Sequence, residues 1–324
     1  MLGVALTLGA VGCGGGDGAA SPGSTIDDST IDDSIIGASD ALAVDGGDGA
    51  PRCNGDARLC GRRLDEITLA GAHNAMSSKA EGWAFANQDV PFDALLDTGI
   101  RALLMDVHSW ADPDVGGPAT LWFCHGNCLL GKMAFDVGLQ RLRTWLDAHP
   151  REVVMVVLEV AAPNAEIVAA IEKAGLVDRA FRWTGGPLPT LGALLDAGVQ
   201  LVWSAESGGG SPDWYHDVWS MVRDTPYTFH SMAEIQAEDG ADDACRPNRG
   251  KPEAPLLQVN HWVAKVLPDV SLSEQANTLP VLLQRAAHCA ALRGSRVHLL
   301  VVDHATRGEV VRAARILNEL EAAP

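Results

Sequence analysis

From residue 64 onward, short apolar runs alternate with longer stretches whose hydrophobic residues recur at helical spacing. The apolar runs are rich in valine, leucine and isoleucine and show little alternation with polar residues. This pattern is expected of parallel strands that are covered on both faces. We predict seven strands, at 66–73, 100–108, 120–126, 152–160, 199–206, 255–262 and 296–304.

Helical patterns fill the intervals between these strands, and they predict helices at 133–148, 165–174, 190–197, 273–293 and 308–321. Strands that alternate with helices in this way indicate a parallel sheet with helical crossovers. Roughly eight such units in about 260 residues predict a single α/β domain, a distorted TIM (β/α)8 barrel that is irregular near its third and sixth strands. A doubly wound open sheet is the alternative, but no GxGxxG follows the first strand, which argues against dinucleotide binding.

The first part of the chain differs from the rest in composition. Residues 1–13, MLGVALTLGAVGC, form an apolar segment too short to span a bilayer, and it resembles an export signal. Its end, AVGC, resembles a bacterial lipoprotein cleavage site at which Cys13 becomes the lipidated N-terminus. We therefore expect an exported bacterial protein, either a cell-envelope lipoprotein with peripheral membrane contact through Cys13 or a secreted protein. An apolar start without any targeting role is the remaining interpretation.

Residues 14–51 consist mainly of Gly, Ser, Ala and Asp, with eight aspartates and no lysine or arginine. We predict a flexible acidic linker here and a folded domain at 52–324. The formal net charge is −18, of which the linker carries −8. The acidic balance argues against a nucleic-acid partner and against broad electrostatic adhesion to anionic membranes. A monomer is expected.

Six of the seven cysteines fall within the predicted domain. An even number in an exported chain indicates disulfides, and we expect two bridges within close pairs and one between the remaining two cysteines. These bridges are Cys53–Cys60, Cys124–Cys128 and Cys245–Cys289. Six cysteines allow fifteen pairings, so the spacing alone leaves the connectivity open. Zinc binding is the alternative use, although the chain has no CxxC pair.

Polar side chains follow the apolar runs at the points where the predicted strands end. Chemistry in a TIM barrel occurs at the carboxyl ends of the strands, so these side chains are candidates for one functional site. They are His73, Asn74, Asp106, His108, His125, Glu159, Glu206, Asn260, His261, Asp303 and His304. Any one histidine among them, taken alone, is more simply explained as a structural residue.

Two of these histidines are suited to acid–base chemistry. The unperturbed pKa of histidine lies near 6.5, so His73 and His125 can serve as a general base and a general acid near neutrality. Combined with a divalent cation, such a pair suits phosphodiester cleavage, because the cation offsets charge on the phosphoryl oxygens and lowers the pKa of a bound nucleophile.

Oxygen ligands for a cation are present at the same strand ends. Asn74, Asp106 and Glu159 offer hard oxygen atoms of the kind that Ca²⁺ and Mg²⁺ prefer. Glu159 follows the run VVMVVL, where a buried carboxylate would need a cation or hydrogen-bond donors. Alternation places Asp106 and His108 on one side of their strand, about 6–7 Å apart, where two side chains can share a ligand. His108 is expected to ligate weakly, to orient a carboxylate or to touch the substrate.

Several segments occur in the order found in the X-domain of phosphatidylinositol-specific phospholipases C: LDEITLAGAHNAMS, GIRALLMDVHSW, FCHGNC and EVVMVVLEV. The chain most resembles the PLC-like phosphodiesterase group of bacteria and fungi, over about residues 52–322. The resemblance implies a distorted TIM barrel and a two-step reaction. In it, His73 assists a substrate hydroxyl that attacks the adjacent phosphorus, and His125 protonates the leaving alkoxide. A cyclic phosphate forms and can then be opened by water.

The resemblance also implies a cofactor. Metal-free bacterial members have an arginine two residues after the strand-two aspartate, and this chain has His108 there. Calcium-dependent members have an asparagine after the first histidine, acidic groups at the end of strand two and a glutamate at the end of strand four. Asn74, Asp106 and Glu159 match that second pattern. We therefore expect a divalent cation, Ca²⁺ before Mg²⁺, held by Asn74, Asp106, His108 and Glu159, and we place Asp106 in the catalytic set as well.

Residues expected on the substrate side are fewer. Arg246, Arg249 and Lys251 lie in a loop before PLLQVNHW and are expected to meet a phosphate, although a solvated basic loop explains them equally well. Trp262 is a candidate for contact with lipid or a sugar ring, with core packing as the default. Asp303 is expected at the site too, orienting one of the two catalytic imidazoles.

Three functions remain open on the sequence. The first is a phospholipase C-type phosphodiesterase that acts on a phospholipid or another phosphodiester. The second is a glycerophosphodiesterase or a sphingomyelinase-D-like enzyme, which uses a similar set of histidine, metal and carboxylates. The third is a barrel that binds a lipid headgroup or a glycan at a surface without turning it over.

Overall fold

The computed structural model describes residues 50–265 and 267–323. The predicted leader and almost all of the predicted acidic linker lie outside these residues. Within the described part of the chain, no helix is long and apolar enough to cross a membrane.

Ten strands lie in one sheet in the described residues. They are β1 (Leu69–Ala72), β2 (Ala102–Trp110), β3 (Thr120–Phe123), β4 (Met133–Ala134), β5 (Val154–Ala161), β6 (Leu201–Ala205), β7 (Tyr215–Asp217), β8 (Val222–Asp224), β9 (Leu256–His261) and β10 (Leu299–Val302). Eight of them pair in parallel, in the order β7-β6-β5-β2-β1-β10-β9-β8. The described β7 and β8 share no ladder with each other, so the barrel is open along that side. The predicted distorted TIM barrel is confirmed.

Helices connect these strands; each of the five predicted helical segments is found, together with three short helices that the periodicity did not predict. They are α1 (Phe92–Asp97), α2 (Phe135–Ala148), α3 (Asn164–Lys173), α4 (Leu191–Asp196), α5 (Val218–Met221), α6 (Met232–Ile235), α7 (Val270–Ala276), α8 (Leu279–Arg293) and α9 (Val310–Leu317). The single helix predicted at 273–293 is in fact two, because Pro280 lies in the first turn of α8, where its missing N–H is tolerated, whereas it would interrupt a continuous helix.

Strand alternation divides the core into two layers. Leu103, Met105 and Val107 of β2 pack outward in the cluster that includes the α2 residues. Leu104 points to the opposite side and packs with Val157 of β5 in the interior cluster. Because side chains alternate along a strand, Asp106 and Glu159 follow Leu104 and Val157 on this interior side. This alternation directs two carboxylates into the mouth of the barrel.

The third predicted strand has a different role from the one expected. β3 pairs antiparallel with β2 and is not one of the parallel strands that form the barrel. Val107 lies opposite Phe123, and Trp110 opposite Thr120. Residues 111–119 are too few for a helical crossover, which needs about a dozen residues or more, so the chain can only form a hairpin. The barrel strands β7 and β8 were missed because each has only three residues, too few for a periodic pattern to be recognised.

Candidate active site

A cavity of about 420 Å³ opens at the carboxyl ends of the parallel strands. Its volume is typical of a small-molecule site. The polar side chains in its lining come from the ends of several strands and from the loops that follow them. They are His73, Asn74, Asp106, Glu159, Glu206, Ser207, Tyr227 and Arg249. Most of the sequence-predicted site residues therefore converge.

His73 directly follows β1, and its backbone N–H donates to the carbonyl of Val302 at 2.9 Å. Its Nδ1 lies 2.8 Å from Oδ1 of Asp303, which is 1% exposed. Asn87 donates to the same carboxylate oxygen at 3.1 Å. Because a carboxylate only accepts, Nδ1 of His73 carries the proton and Nε2 is the nitrogen left for chemistry. The sequence left open which of the two imidazoles Asp303 would orient, and in the structure Asp303 contacts His73.

His125 lies next to His73, with the two ring centroids 6.5 Å apart and the rings inclined at 71°. The antiparallel course of β3 explains this position, because the strand returns from the hairpin tip to the level of Asp106 just before His125. A disulfide between Cys124 and Cys128 closes the short loop that carries it. His125 is an exposed residue, but surrounding protein atoms and the neighbouring His73 lower the pKa of its ring.

Carboxylates crowd the other side of the cavity. Asp106 and Glu159 are register partners on β2 and β5. Asp106 is 4% exposed, and its side chain accepts no hydrogen bond from any described residue. Burial, together with the charges of Glu159 and Glu206, raises the pKa of Asp106 well above its usual range. An uncompensated buried carboxylate of this kind is costly unless a cation binds beside it.

Glu159 is not buried, contrary to the expectation from its apolar run. The side chain is exposed because it lies where β5 leaves the core and enters the open cavity. Asn74 is buried and adopts a φ of 45°, a left-handed conformation that asparagine tolerates better than most residues. This turn places Asn74 beside His73 in the cavity lining. Its side-chain amide donates to Asn87 at 3.3 Å.

His108 is not in the cavity lining. One of its ring nitrogens lies within 4.8 Å of the sulfur atoms of Cys124 and Cys128. At this point β2 pairs both with β5, where His108 lies beside Ala161, and with β3, where it lies opposite Trp122. Burial lowers the pKa of His108, and the charge of Glu159 opposes that shift. The ligand that His108 is predicted to share with Asp106 stays a prediction.

Only one of the three basic residues predicted for substrate lies at the site. Arg249 enters the cavity, where its guanidinium donates to Asp224 at 2.7 Å and to Glu206 at 2.8 Å. It lies between the rings of Trp219 and Tyr227, 4.3 and 4.5 Å from their centroids. The sequence did not point to Tyr227, which follows a strand too short to be recognised. Glu206 was noted at a strand end but not selected.

The other two basic residues face elsewhere. Arg246 donates to the carbonyl of Asp243 at 2.9 Å, and Lys251 donates to the hydroxyl of Ser220 at the same distance. Neither lines the cavity, and both are exposed, so the solvated-loop interpretation applies to them. Their nearness to Arg249 in sequence was misleading, because each is held by a partner outside the cavity.

The three predicted disulfides are confirmed, and they join Cys53 to Cys60, Cys124 to Cys128 and Cys245 to Cys289. Zinc binding by these six cysteines is therefore excluded.

Comparison with known proteins identifies the family. A family model described as PI-PLC X 1 matches residues 59–318. The chain belongs to the PI-PLC X family. A curated relative, PI-PLC X domain-containing protein 1 of Arthroderma benhamiae, is 27% identical over 294 residues, covering 83% of this chain and 90% of the relative.

Solved structures of the PI-PLC group have the same fold. The phosphatidylinositol-specific phospholipase C of Listeria monocytogenes matches with a TM-score of 0.53 at 14% identity, over 82% of this chain and 96% of that one. The Staphylococcus aureus enzyme matches with a TM-score of 0.52 at 14% identity, over 80% of this chain and 93% of that one. At such identity the likeness shows the fold of this PI-PLC X chain and nothing more.

The origin predicted from the leader is wrong. The curated relative comes from a fungus, which contradicts the assignment to a bacterial cell envelope. The prediction depended on reading AVGC as a bacterial cleavage site, and four small residues are a weak signal. Residues 1–13 themselves lie outside the described residues.

Proposed function

We propose that the protein cleaves a phosphodiester of a phospholipid by the phospholipase C route. His73 acts as general base and His125 as general acid, and Asn74, Asp106 and Glu159 hold a divalent cation. The observation that carries the proposal is the 6.5 Å between the two imidazole centroids, beside a cavity rich in carboxylates. At that separation both rings can reach one phosphodiester, one from each side of the phosphorus.

The proton transfers follow from the orientation of the rings. Nε2 of His73 takes the proton of a substrate hydroxyl, whose oxygen then forms a bond to the adjacent phosphorus. The bond from phosphorus to the leaving oxygen breaks, and His125 gives that oxygen a proton. In the second step the roles reverse, since His125 deprotonates a water that opens the cyclic phosphate and His73 returns its proton to the hydroxyl. Asp303 stabilises the positive charge that His73 carries between the two steps.

The residues present fit a hard divalent cation. Asp106 is buried and lacks a hydrogen-bond partner among the described residues, and Glu159 and the amide oxygen of Asn74 can complete an oxygen set. We propose Ca²⁺ before Mg²⁺, because the donors are protein oxygens on separate strands. A bound cation would supply compensation for phosphoryl charge. Glu206 faces the same cavity and is paired with Arg249, which it shares with Asp224.

Arg249 is proposed to contact the substrate phosphate. It is the one lysine or arginine among the described residues that line the cavity. Two carboxylates and two aromatic rings hold its guanidinium, so little conformational freedom is lost when an anion binds.

The direct test is an assay for phosphodiester cleavage on phosphatidylinositol, phosphatidylcholine and glycerophosphocholine, with Ca²⁺ and with chelator. We expect release of a phosphorylated headgroup from a phospholipid, and at least about a hundredfold loss on chelation. Release of free choline or preference for the deacylated diester would favour the glycerophosphodiesterase alternative. Binding of vesicles without turnover would favour a non-catalytic barrel. Full activity with chelator would contradict the cation.

The pH dependence of cleavage follows from His125. Its ring must be protonated to act as an acid, and its pKa is lowered in the free protein. The protonated fraction then falls about tenfold per pH unit above a midpoint below about 6.5. We expect kcat/KM to decline as pH rises through neutrality, and the His125 resonance to titrate below pH 6.5 by NMR. A kcat/KM that rises steadily up to pH 8 would contradict this role.

The disulfide around His125 is expected to matter for catalysis more than for folding. Replacing Cys124 and Cys128 by serine frees the loop, and a misplacement of His125 by about 1 Å can lower kcat by about a hundredfold. The double variant Cys53→Ser/Cys60→Ser is the matched control, since it opens a local bridge of similar size away from the cavity. Steady-state rates and Tm would be measured for both variants. Equal effects of the two pairs on kcat would refute a special role for the 124–128 bridge.

A further inference from the structure

Trp262 makes a contact to His73 that the proposed mechanism does not use. The two rings are parallel within 4°, and their centroids are 3.9 Å apart. Trp262 lines the cavity but is only 7% exposed, and the imidazole covers one face of its indole. We propose that Trp262 is a positioning residue that acts on the reaction through His73, instead of contacting lipid or sugar itself. This inference depends on His73 being the base of the proposed function.

The indole is attached to a rigid part of the barrel. Trp262 follows β9, and its neighbours His261 and Val263 are both fully buried. Nε2 of His261 donates to the carbonyl of Ala276 at 2.9 Å, and Nδ1 accepts from Arg285 of α8 at 3.4 Å. Burial and Arg285 lower the pKa of His261 to about 3, so its ring stays neutral and this pattern of one donor and one acceptor persists. Hydrogen bonds thus connect His261, the residue before Trp262, to both α7 and α8.

Two other contacts hold His73 in position. Asp303 holds Nδ1, and the side chain of Gln88 donates to the His73 carbonyl at 2.8 Å. One edge, one face and the backbone of His73 are thus fixed, and its side chain retains 22% exposure toward the cavity. A 180° flip of the ring would break the bond to Asp303, and a smaller rotation would break the stack. The arrangement therefore keeps Nε2 directed at the place where a substrate hydroxyl must bind.

The stack also has an electrostatic consequence. The face of an indole is electron-rich and attracts a cation. His73 becomes an imidazolium when it takes the substrate proton, so the stack favours the state that follows proton transfer over the state that precedes it. An interaction that strengthens in this way raises kcat and leaves KM nearly unchanged.

Three variants separate positioning from substrate contact. Trp262→Phe keeps an aromatic face, and we expect it to retain most of kcat. Trp262→Leu keeps apolar bulk without that face, and we expect kcat to fall at least about tenfold at unchanged KM. Trp183→Leu, at a half-buried tryptophan away from the cavity, is the control and should behave as wild type. A rise in KM at constant kcat for Trp262→Leu would overturn the inference, because it would show a substrate platform.

A second readout does not depend on activity. The Hε1 resonance of His73 in the NMR spectrum should be displaced by the indole ring current in wild type and in the control, and this displacement should vanish in Trp262→Leu. If no phosphodiester is cleaved while this NMR effect appears, the proposed function fails and the stacking stands. If Trp262→Leu leaves the Hε1 resonance unchanged, the inference is overturned whatever the activity.

Discussion

Alanine in place of His73 or of His125 is expected to lower kcat by about 10²- to 10⁴-fold, the range for loss of one positioned acid or base. Each ring acts in both steps of the proposed reaction, so either replacement slows formation of the cyclic phosphate and its opening. KM should change little, because neither ring is needed to hold the headgroup. The double variant should be only slightly slower than either single variant, since the two rings work as a unit.

A leaving-group experiment separates the two roles. A substrate with an aryl leaving group needs no proton from an acid, so His125→Ala should recover most of its activity on it while His73→Ala should not. His230→Ala is the control, because His230 is exposed and its ring bonds to the carbonyl of Ala264, away from the cavity. Equal recovery of both variants, or wild-type kcat in His125→Ala on a phospholipid, would show that the acid is wrongly assigned.

Asparagine in place of Asp106 is expected to have two opposite effects. Cation binding should weaken at least about tenfold, as measured by calorimetry, because one negative charge leaves the oxygen set. Thermal stability without cation should rise, with Tm higher by about 2–4 °C for each kcal/mol of relieved charge burial. A raised pKa means that Asp106 adds stability below its unfolded pKa, near 3.9, and loses it as pH rises through the folded value.

At neutral pH the buried charge of Asp106 therefore lowers the stability of the native protein, and the variant lacks this charge. Bound cation should offset this loss of stability only in the native protein. Addition of Ca²⁺ should raise Tm in wild type and in the control Glu166→Gln, which removes an exposed carboxylate on α3. It should raise Tm little in Asp106→Asn. A variant that loses stability without cation, or one that keeps the full response to Ca²⁺, would contradict the site.

The sequence was sufficient where long apolar runs end in polar residues. β2 and β5 have almost entirely apolar sequences because both faces of each strand are covered. Their positions, and the arrival of Asp106 and Glu159 at one rim of the barrel, therefore follow from these apolar runs alone. His73 after β1 and Asp303 after β10 follow for the same reason, because β1 and β10 are parallel neighbours. The order of the barrel brings these two strand ends together, but the sequence left open whether Asp303 orients His73 or His125.

The sequence was insufficient where the direction of a side chain was inferred from its spacing along the chain. His108 has the parity of Asp106 along β2, but β2 also pairs with β3 at this point and His108 lies outside the cavity lining. Arg246 and Lys251 are neighbours of Arg249 in sequence only. The parallel stack of Trp262 on His73 joins residues from β9 and β1, and no pattern of one chain predicts the angle between two rings. Such contacts depend on tertiary packing.

The central claim is that two imidazoles and one cation act on the same phosphodiester. The most direct measurement is a phosphorus NMR time course of phosphatidylinositol with the wild-type protein in Ca²⁺. The account predicts that a cyclic phosphate appears first, that a phosphomonoester follows from it, and that chelator suppresses both. Formation of the monoester with no cyclic intermediate, or an unchanged time course in chelator, would contradict it.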